Sequence, residues 1–426
     1  MLLGRASRSS SLSLLGGLLL TVAAVACGDS AAEDGPPTGG SGGSGGEGAG
    51  ATDGGGGDGT GGVPIGDPPE RAPGMTDLSI LFPMPSSSEQ MDALIAATDE
   101  GPSGVVFPAS YFELMPQLSF NFPDKPSEYA GLRAIAARLD PCFPALEGET
   151  CRAQLRLVMQ PIADVDGQLL ASDAAVHLFF ELSQEEFTGL LGDMTRAQSA
   201  EDAAGPLAVH PAMKSEGLDG EAAQKILASM RAYAGESRLS RATFMQLGGQ
   251  GNVWFFGGFE IADGAGTPIG IAGGDVLQQR FENNAFIDPQ DFFGLVDPVI
   301  PPDDFSVFYE SKTARGETDD ALWPAYEAAL RTQNPDFHTP ESVACVQCHT
   351  ANAALEWADR NTDLESRESE ARFTSDLDLT QPSNLFRDRS MTVRAFGYQD
   401  REPAVSKRTI FETARLVEFT REQYGF

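Results

Sequence analysis

Two of the chain's five cysteines and one of its four histidines fall within five consecutive residues, Cys345-Val-Gln-Cys348-His349. The chain's own cysteine and histidine content makes a chance C-x-x-C-H rare, so the grouping calls for a chemical reading. Three chemistries use such residues: covalent attachment of haem, a redox dithiol, and half of a zinc site. For haem, two intervening residues set the sulfurs at the separation of the two vinyl groups on a helical turn, and the histidine that follows points at the iron. A zinc site needs further Cys or His ligands, and only Cys142, Cys151 and scattered histidines remain. A thioredoxin-like dithiol opens a helix after a strand and has no need of a histidine beside its second cysteine; that sequence context is absent here. The residues predict one covalent haem c, attached through Cys345 and Cys348, with His349 as iron ligand.

Iron used for electron transfer takes a second axial ligand, most often Met or His. Beyond His349 there is no histidine and a single methionine, Met391, while His338 lies shortly before the motif. Met391 is the first choice, His338 competes, and an open sixth position is the third option. After Met391, residues Ile410, Thr413, Ala414, Val417 and Tyr424 share one stripe of a helical wheel. Lys407, Arg408, Glu412, Arg415, Glu418 and Glu422 take the other face. This predicts an amphipathic terminal helix with Pro403 near its first turn.

C-V-Q-C-H at 345–349, a methionine 42 residues later and a closing amphipathic helix resemble the order of parts in class I cytochromes c. The resemblance implies a small, mainly α haem domain over 318–426, in which Trp357, Phe373, Phe386, Phe396 and Tyr398 either pack around the haem or serve an ordinary core. It also implies electron transfer with a redox partner protein.

The elements that must carry this part precede it. Residues 75–317 predict an α+β domain, a sheet with helices or a sandwich, because several strand candidates look apolar on both faces. Strands are expected at 78–82, 104–112, 132–139, 154–162, 176–182, 241–247, 252–262 and 268–272, separated by Gly, Pro and Asp clusters. Helices are expected over 183–197, where Ser183 and Glu186 form a capping box, and over 220–235. The histidines here, His177 in an apolar strand pattern and His210 before a proline, have no metal-spaced partner. They are assigned to the sheet and to a loop. Cys142 and Cys151 flank a Pro-, Gly- and Glu-containing stretch and are expected to form a disulfide in an exported chain. Nothing in this domain names a substrate.

The address is at the other end. Arg5 and Arg8 precede a mostly apolar run to Ala26, the pattern of a secretory signal over 1–26. Ala24-Val-Ala-Cys27 resembles the lipobox of bacterial lipoproteins, which implies a lipid on Cys27. Residues 27–74 are almost wholly Gly, Ser, Ala, Asp, Glu, Thr and Pro, a composition that cannot bury a core and predicts a disordered leash. The expected location is the periplasmic side of a bacterial envelope, outer membrane favoured, with the membrane touched through the lipid alone. A net charge of −33 argues against nucleic acid as a partner. The functional expectation is a lipid-anchored monohaem cytochrome in electron transfer. The alternative is a haem-linked oxidoreductase or haem-based sensor whose larger domain binds a substrate or partner.

Overall fold

The computed structural model describes residues 66–143, 151–248, 252–272, 274, 276–283, 294–301, 303–380, 393 and 395–426. The signal, Cys27, the leash up to residue 65, Phe386 and Met391 lie outside the described residues. The fold is α+β, built on a ten-stranded antiparallel sheet with helices packed on it. Eight strands lie side by side in chain order: β1 (Ser79–Leu81), β2 (Leu132–Phe143), β3 (Arg152–Val165), β4 (Ala175–Leu182), β5 (Leu239–Leu247), β6 (Val253–Ala262), β7 (Gln278–Asn283) and β8 (Gly294–Asp297). The short strands Gln168–Ala171 and Ala265–Pro268 pair with β3 and β6. Each returns through an Asp-Gly pair with both residues at positive φ, Asp166 at 53° and Gly167 at 82°, Asp263 at 52° and Gly264 at 76°. Asp-Gly at such a position selects a tight hairpin whose twist matches its strands.

The expected strands at 132–139, 154–162, 176–182, 241–247 and 252–262 are β2 to β6. The stretch 104–112 is not one strand: Gly104–Val105 pairs briefly, and Pro108 then starts the helix Ala109–Phe112. Proline cannot donate to a ladder and its fixed φ suits a helix start, so it divides an otherwise β-rich stretch. Leu78 ends the helix Met75–Leu78, and at the other margin pairing stops at Pro268.

Along β3 and β4 the side chains alternate between two environments. Leu155, Leu157, Met159, Val176, Leu178 and Phe180 belong to the larger apolar core. Helix α1 (Gln184–Arg196) packs on β2, β3 and β4, and α2 (Glu221–Tyr233) packs on α1. The capping box of α1 forms as expected: Glu186 N–H donates to Ser183 Oγ at 3.2 Å, and Ser183 N–H to the Glu186 carboxylate at 2.8 Å. Cys142 and Cys151 are disulfide-bonded, with Cα atoms 4.7 Å apart.

Three helices follow: α3 (Asp319–Gln333), α4 (Cys345–Asn361) and α5 (Lys407–Tyr424). Helix α4 packs on α3, β6 and β7 in a second core containing Phe256, Phe281, Phe308, Tyr309 and Trp357. Helix α5 lies against β2 and joins the larger core through Ile410, Ala414 and Val417. Both cores therefore hold side chains from before and after residue 317. Ser406 caps α5, its Oγ accepting from Thr409 N–H. Pro403 sits earlier than the first turn, in the hairpin Phe396–Gln399 and Glu402–Val405, which leaves the cap to the serine.

Candidate functional site

Cys345, Cys348 and His349 form the first turn of α4, and both cysteines carry free thiols. Ala344 at the N-cap offers no side-chain acceptor, so the orphan N–H groups of this helix start need partners from elsewhere. Gln279 of β7 supplies one: its Oε1 accepts from Val346 N–H at 2.9 Å while its Nε2 donates to the Pro298 carbonyl. Gln347 Nε2 donates to the carbonyls of Ile300 and Asp303 at 2.6 and 2.9 Å. The two residues inside C-x-x-C thus anchor the helix, and the cysteines and histidine are left to face a cavity.

That cavity, about 270 Å³, lies between the first turns of α4 and α5 and one face of the sheet. Its floor is made of cross-strand rows. One row reads Arg138, Arg156, Phe179, Arg241, Glu260 from β2 to β6. The next, two residues along each strand, reads Ala136, Val158, His177, Thr243, Gly258. The Arg156 guanidinium lies 4.6 Å from the centre of the Phe179 ring and that of Arg241 5.9 Å, so one aromatic face system separates two like charges. Above the floor, His349 rests 4.9 Å from the Phe256 ring.

Charge on the walls is balanced locally. Glu412 of α5 accepts from Arg408 Nε at 2.6 Å and pairs with Arg138 of β2, joining the roof to the floor. Burial opposes ionisation of Glu412, but Arg408, Arg138 and Arg156 outweigh it and hold the carboxyl far below its usual range. Arg408 also donates to the carbonyls of Thr332 and His338. Arg241 pairs with Glu260 and Glu341. Burial pushes the Cys345 thiol up to about 12, with Cys348 adding to it, and the Cys348 thiol up to about 11. Burial, then Arg156 and His349, push His177 down to about 3, so its imidazole is neutral. The His349 imidazole is also pushed down by burial. Its Nδ1 hydrogen-bonds to the Val393 carbonyl, and because a carbonyl can only accept, the proton is on Nδ1 and Nε2 carries the lone pair.

The structure brings Cys345, Cys348 and His349 together on one wall. His338 is elsewhere: its Nε2 meets Asp303 Oδ2 at 2.5 Å and its Nδ1 meets Ser342 Oγ at 3.2 Å, so both ring nitrogens are engaged. Of the aromatic residues assigned to a haem pocket, Phe396 lines the cavity. Trp357 packs on Phe308, Phe373 on Phe411, and Tyr398 donates to the Phe82 carbonyl, all in the ordinary interior. His210 sits buried at the N-cap of the helix Pro211–Glu216. Sequence reasoning placed His177 in the sheet but not at a site. The signal was present in the alternation of the strands: His177 and Phe179, Arg156 and Val158, and Arg241 and Thr243 define a second, mixed face. Among the described residues no three of His, Cys, Asp and Glu gather as a metal-binding set. No family model, curated protein or solved structure matches the chain.

Proposed function

We propose that the cavity holds one covalent haem c and that the protein is an exported, lipid-anchored electron carrier serving a redox partner protein at the periplasmic side of the envelope. The observation that carries this reading is the hydrogen bond from His349 Nδ1–H to the Val393 carbonyl. Metal-bound histidines almost always donate their second ring N–H in this way, which fixes the ring and leaves Nε2 free to bind. Bound there, a haem supplies a one-electron Fe(II)/Fe(III) couple.

The residues present fit such a group. Cys345 and Cys348 line the cavity beside His349 and suit two thioether bonds. Val158, Phe179, Phe256 and Phe396 offer an apolar lining for a macrocycle and exclude water. Arg138, Arg156, Arg241 and Arg408 line the same cavity and suit the two carboxylates a haem carries. At about 270 Å³ the cavity is slightly smaller than the roughly 300–1,000 Å³ of small-molecule sites. A working dithiol is supported less well: thiols pushed up to about 12 and about 11 stay protonated, and the thiolate is the nucleophile. A protein-only metal centre lacks a donor set among the described residues, whereas a haem brings its own nitrogens and asks the chain for one or two ligands.

The test is a pyridine haemochrome spectrum after acid-acetone extraction of protein exported by a host with c-type maturation, paired with reversible reduction and reoxidation. A c-type band that stays with the polypeptide, cycles with one electron, and is lost in Cys345→Ala/Cys348→Ala supports the reading. Haem that extracts into the solvent, or its absence from the wild type, defeats it.

A further inference from the structure

His177 is the one imidazole on the cavity floor, and its surroundings differ from those of a packed sheet residue. Its cross-strand neighbours are Val158 and Thr243, and beyond these stand Ala136 and Gly258. The side chains of all four are smaller than the imidazole. Its chain neighbours Val176 and Leu178 are fully buried on the opposite face, while His177 keeps exposure on the cavity side. Among the described residues neither of its ring nitrogens has a hydrogen-bond partner, in contrast to His338, whose two nitrogens are both engaged. It lines the same cavity as His349.

The other donors on the wall are committed. Glu412 is held by Arg138 and Arg408, and Glu260 and Glu341 by Arg241. Met245 lines the floor but is packed in the second core, 4% exposed.

We propose that His177 is the second axial ligand of the haem iron, donated from the centre of the sheet opposite His349. The proposal rests on the haem reading above. It makes the sheet a ligand-bearing element and the iron bis-imidazole in coordination, in place of the Met391 ligation that the resemblance to class I cytochromes c implies. It also makes the mixed face of β2 to β6 a partner of the motif helix in holding one group.

Electron paramagnetic resonance and near-infrared magnetic circular dichroism of the ferric holoprotein test this, with His177→Ala, Met245→Leu and Met391→Leu alongside. The expected result is a low-spin wild type with the charge-transfer band of two nitrogen ligands, unchanged in both methionine variants. His177→Ala should become high-spin and bind carbon monoxide in the ferrous state without displacing a ligand. Added imidazole should restore the low-spin signal, which separates loss of a ligand from loss of the fold. A methionine-to-iron band in the wild type overturns the proposal, as does a His177→Ala spectrum that stays low-spin or a conversion to high spin in either methionine variant. Absence of any covalent haemochrome in the wild type overturns the haem reading itself, a distinct outcome from these.

Discussion

Strands β2 to β5 have two faces made from alternate residues of the same segments, and the two are built for different ends. One face presents Leu155, Leu157, Val176, Leu178 and Phe180 to α1 and the larger core. The other presents Arg138, Arg156, His177, Phe179 and Arg241 to a cavity roofed by α4 and α5. Burying apolar side chains stabilises at roughly 25 cal/mol per Å² with no further condition. Burying guanidinium and carboxylate groups costs several kcal/mol per ion, and pairing them does no more than offset that. An interior face assembled from arginines, a glutamate and an unbonded imidazole is therefore a poor route to stability. The proposed haem would be the group that uses it.

That comparison can be broken most forcefully at Glu412. Glu412→Gln leaves Arg138 and Arg408 buried without their acid, and removing one member of such a set costs about 3–5 kcal/mol. The pH dependence has a definite sign. The folded-state carboxyl is held far below the ordinary value of 4.5, so its contribution is present above 4.5 and fades as pH falls below it. Urea unfolding should show the largest gap between wild type and variant at neutral pH and a narrowing gap in acid. An equal gap at every pH would mean the acid's charge is not what matters.

Leu178→Ala and His177→Ala compare the faces one residue apart. The first should lose about 2–5 kcal/mol, as core truncations do, and leave the absorbance of the holoprotein unchanged. The second should lose much less stability and alter the spectrum. The reverse ranking in urea melts and visible spectra would erase the distinction between the faces.

Glu128, away from the cavity, sharpens the point by its opposite slope. It is fully buried, and its carboxylate oxygens accept from Leu118 and Ser119 N–H at 2.8 and 2.6 Å. Burial nevertheless pushes it up to about 7, against the weaker pull of those bonds and of Lys125. Its contribution is full below 4.5 and is lost as pH rises through about 7. Glu128→Gln should flatten that loss, on the order of 2 kcal/mol, in unfolding midpoints measured across this range. The smallest effect is expected at the apolar face's margin. Ser183→Ala removes the α1 cap and should cost about 1 kcal/mol by thermal melt, with no change at the cavity.

The strands from β2 to β6, helices α1 and α2, and the terminal helix were legible because each is long and periodic enough for pattern to dominate. The stretch 104–112 was not, since one proline overrode its β-rich composition. The site was legible where chemistry is concentrated in neighbouring residues, as in Cys345, Cys348 and His349. It was not legible where side chains meet only through the fold. Arg408 and Glu412 fall on the polar side of a helical wheel, as solvent-facing residues do, yet Arg408 is 2% exposed because Arg138 comes to meet Glu412 from a strand more than 250 residues earlier. His177 lacked a metal-spaced partner in sequence, and the histidine that shares its cavity, His349, arrives from α4.

The central claim is that the wall bearing Cys345, Cys348 and His349 carries a covalent haem against the mixed face of the sheet. Peptide mapping by mass spectrometry of the exported, mature protein tests it most directly. The account predicts that the peptide containing residues 345–349 carries the mass of one haem and that neither Cys345 nor Cys348 reacts with an alkylating reagent. Recovery of that peptide unmodified, with both thiols alkylated or joined as a disulfide, would contradict it.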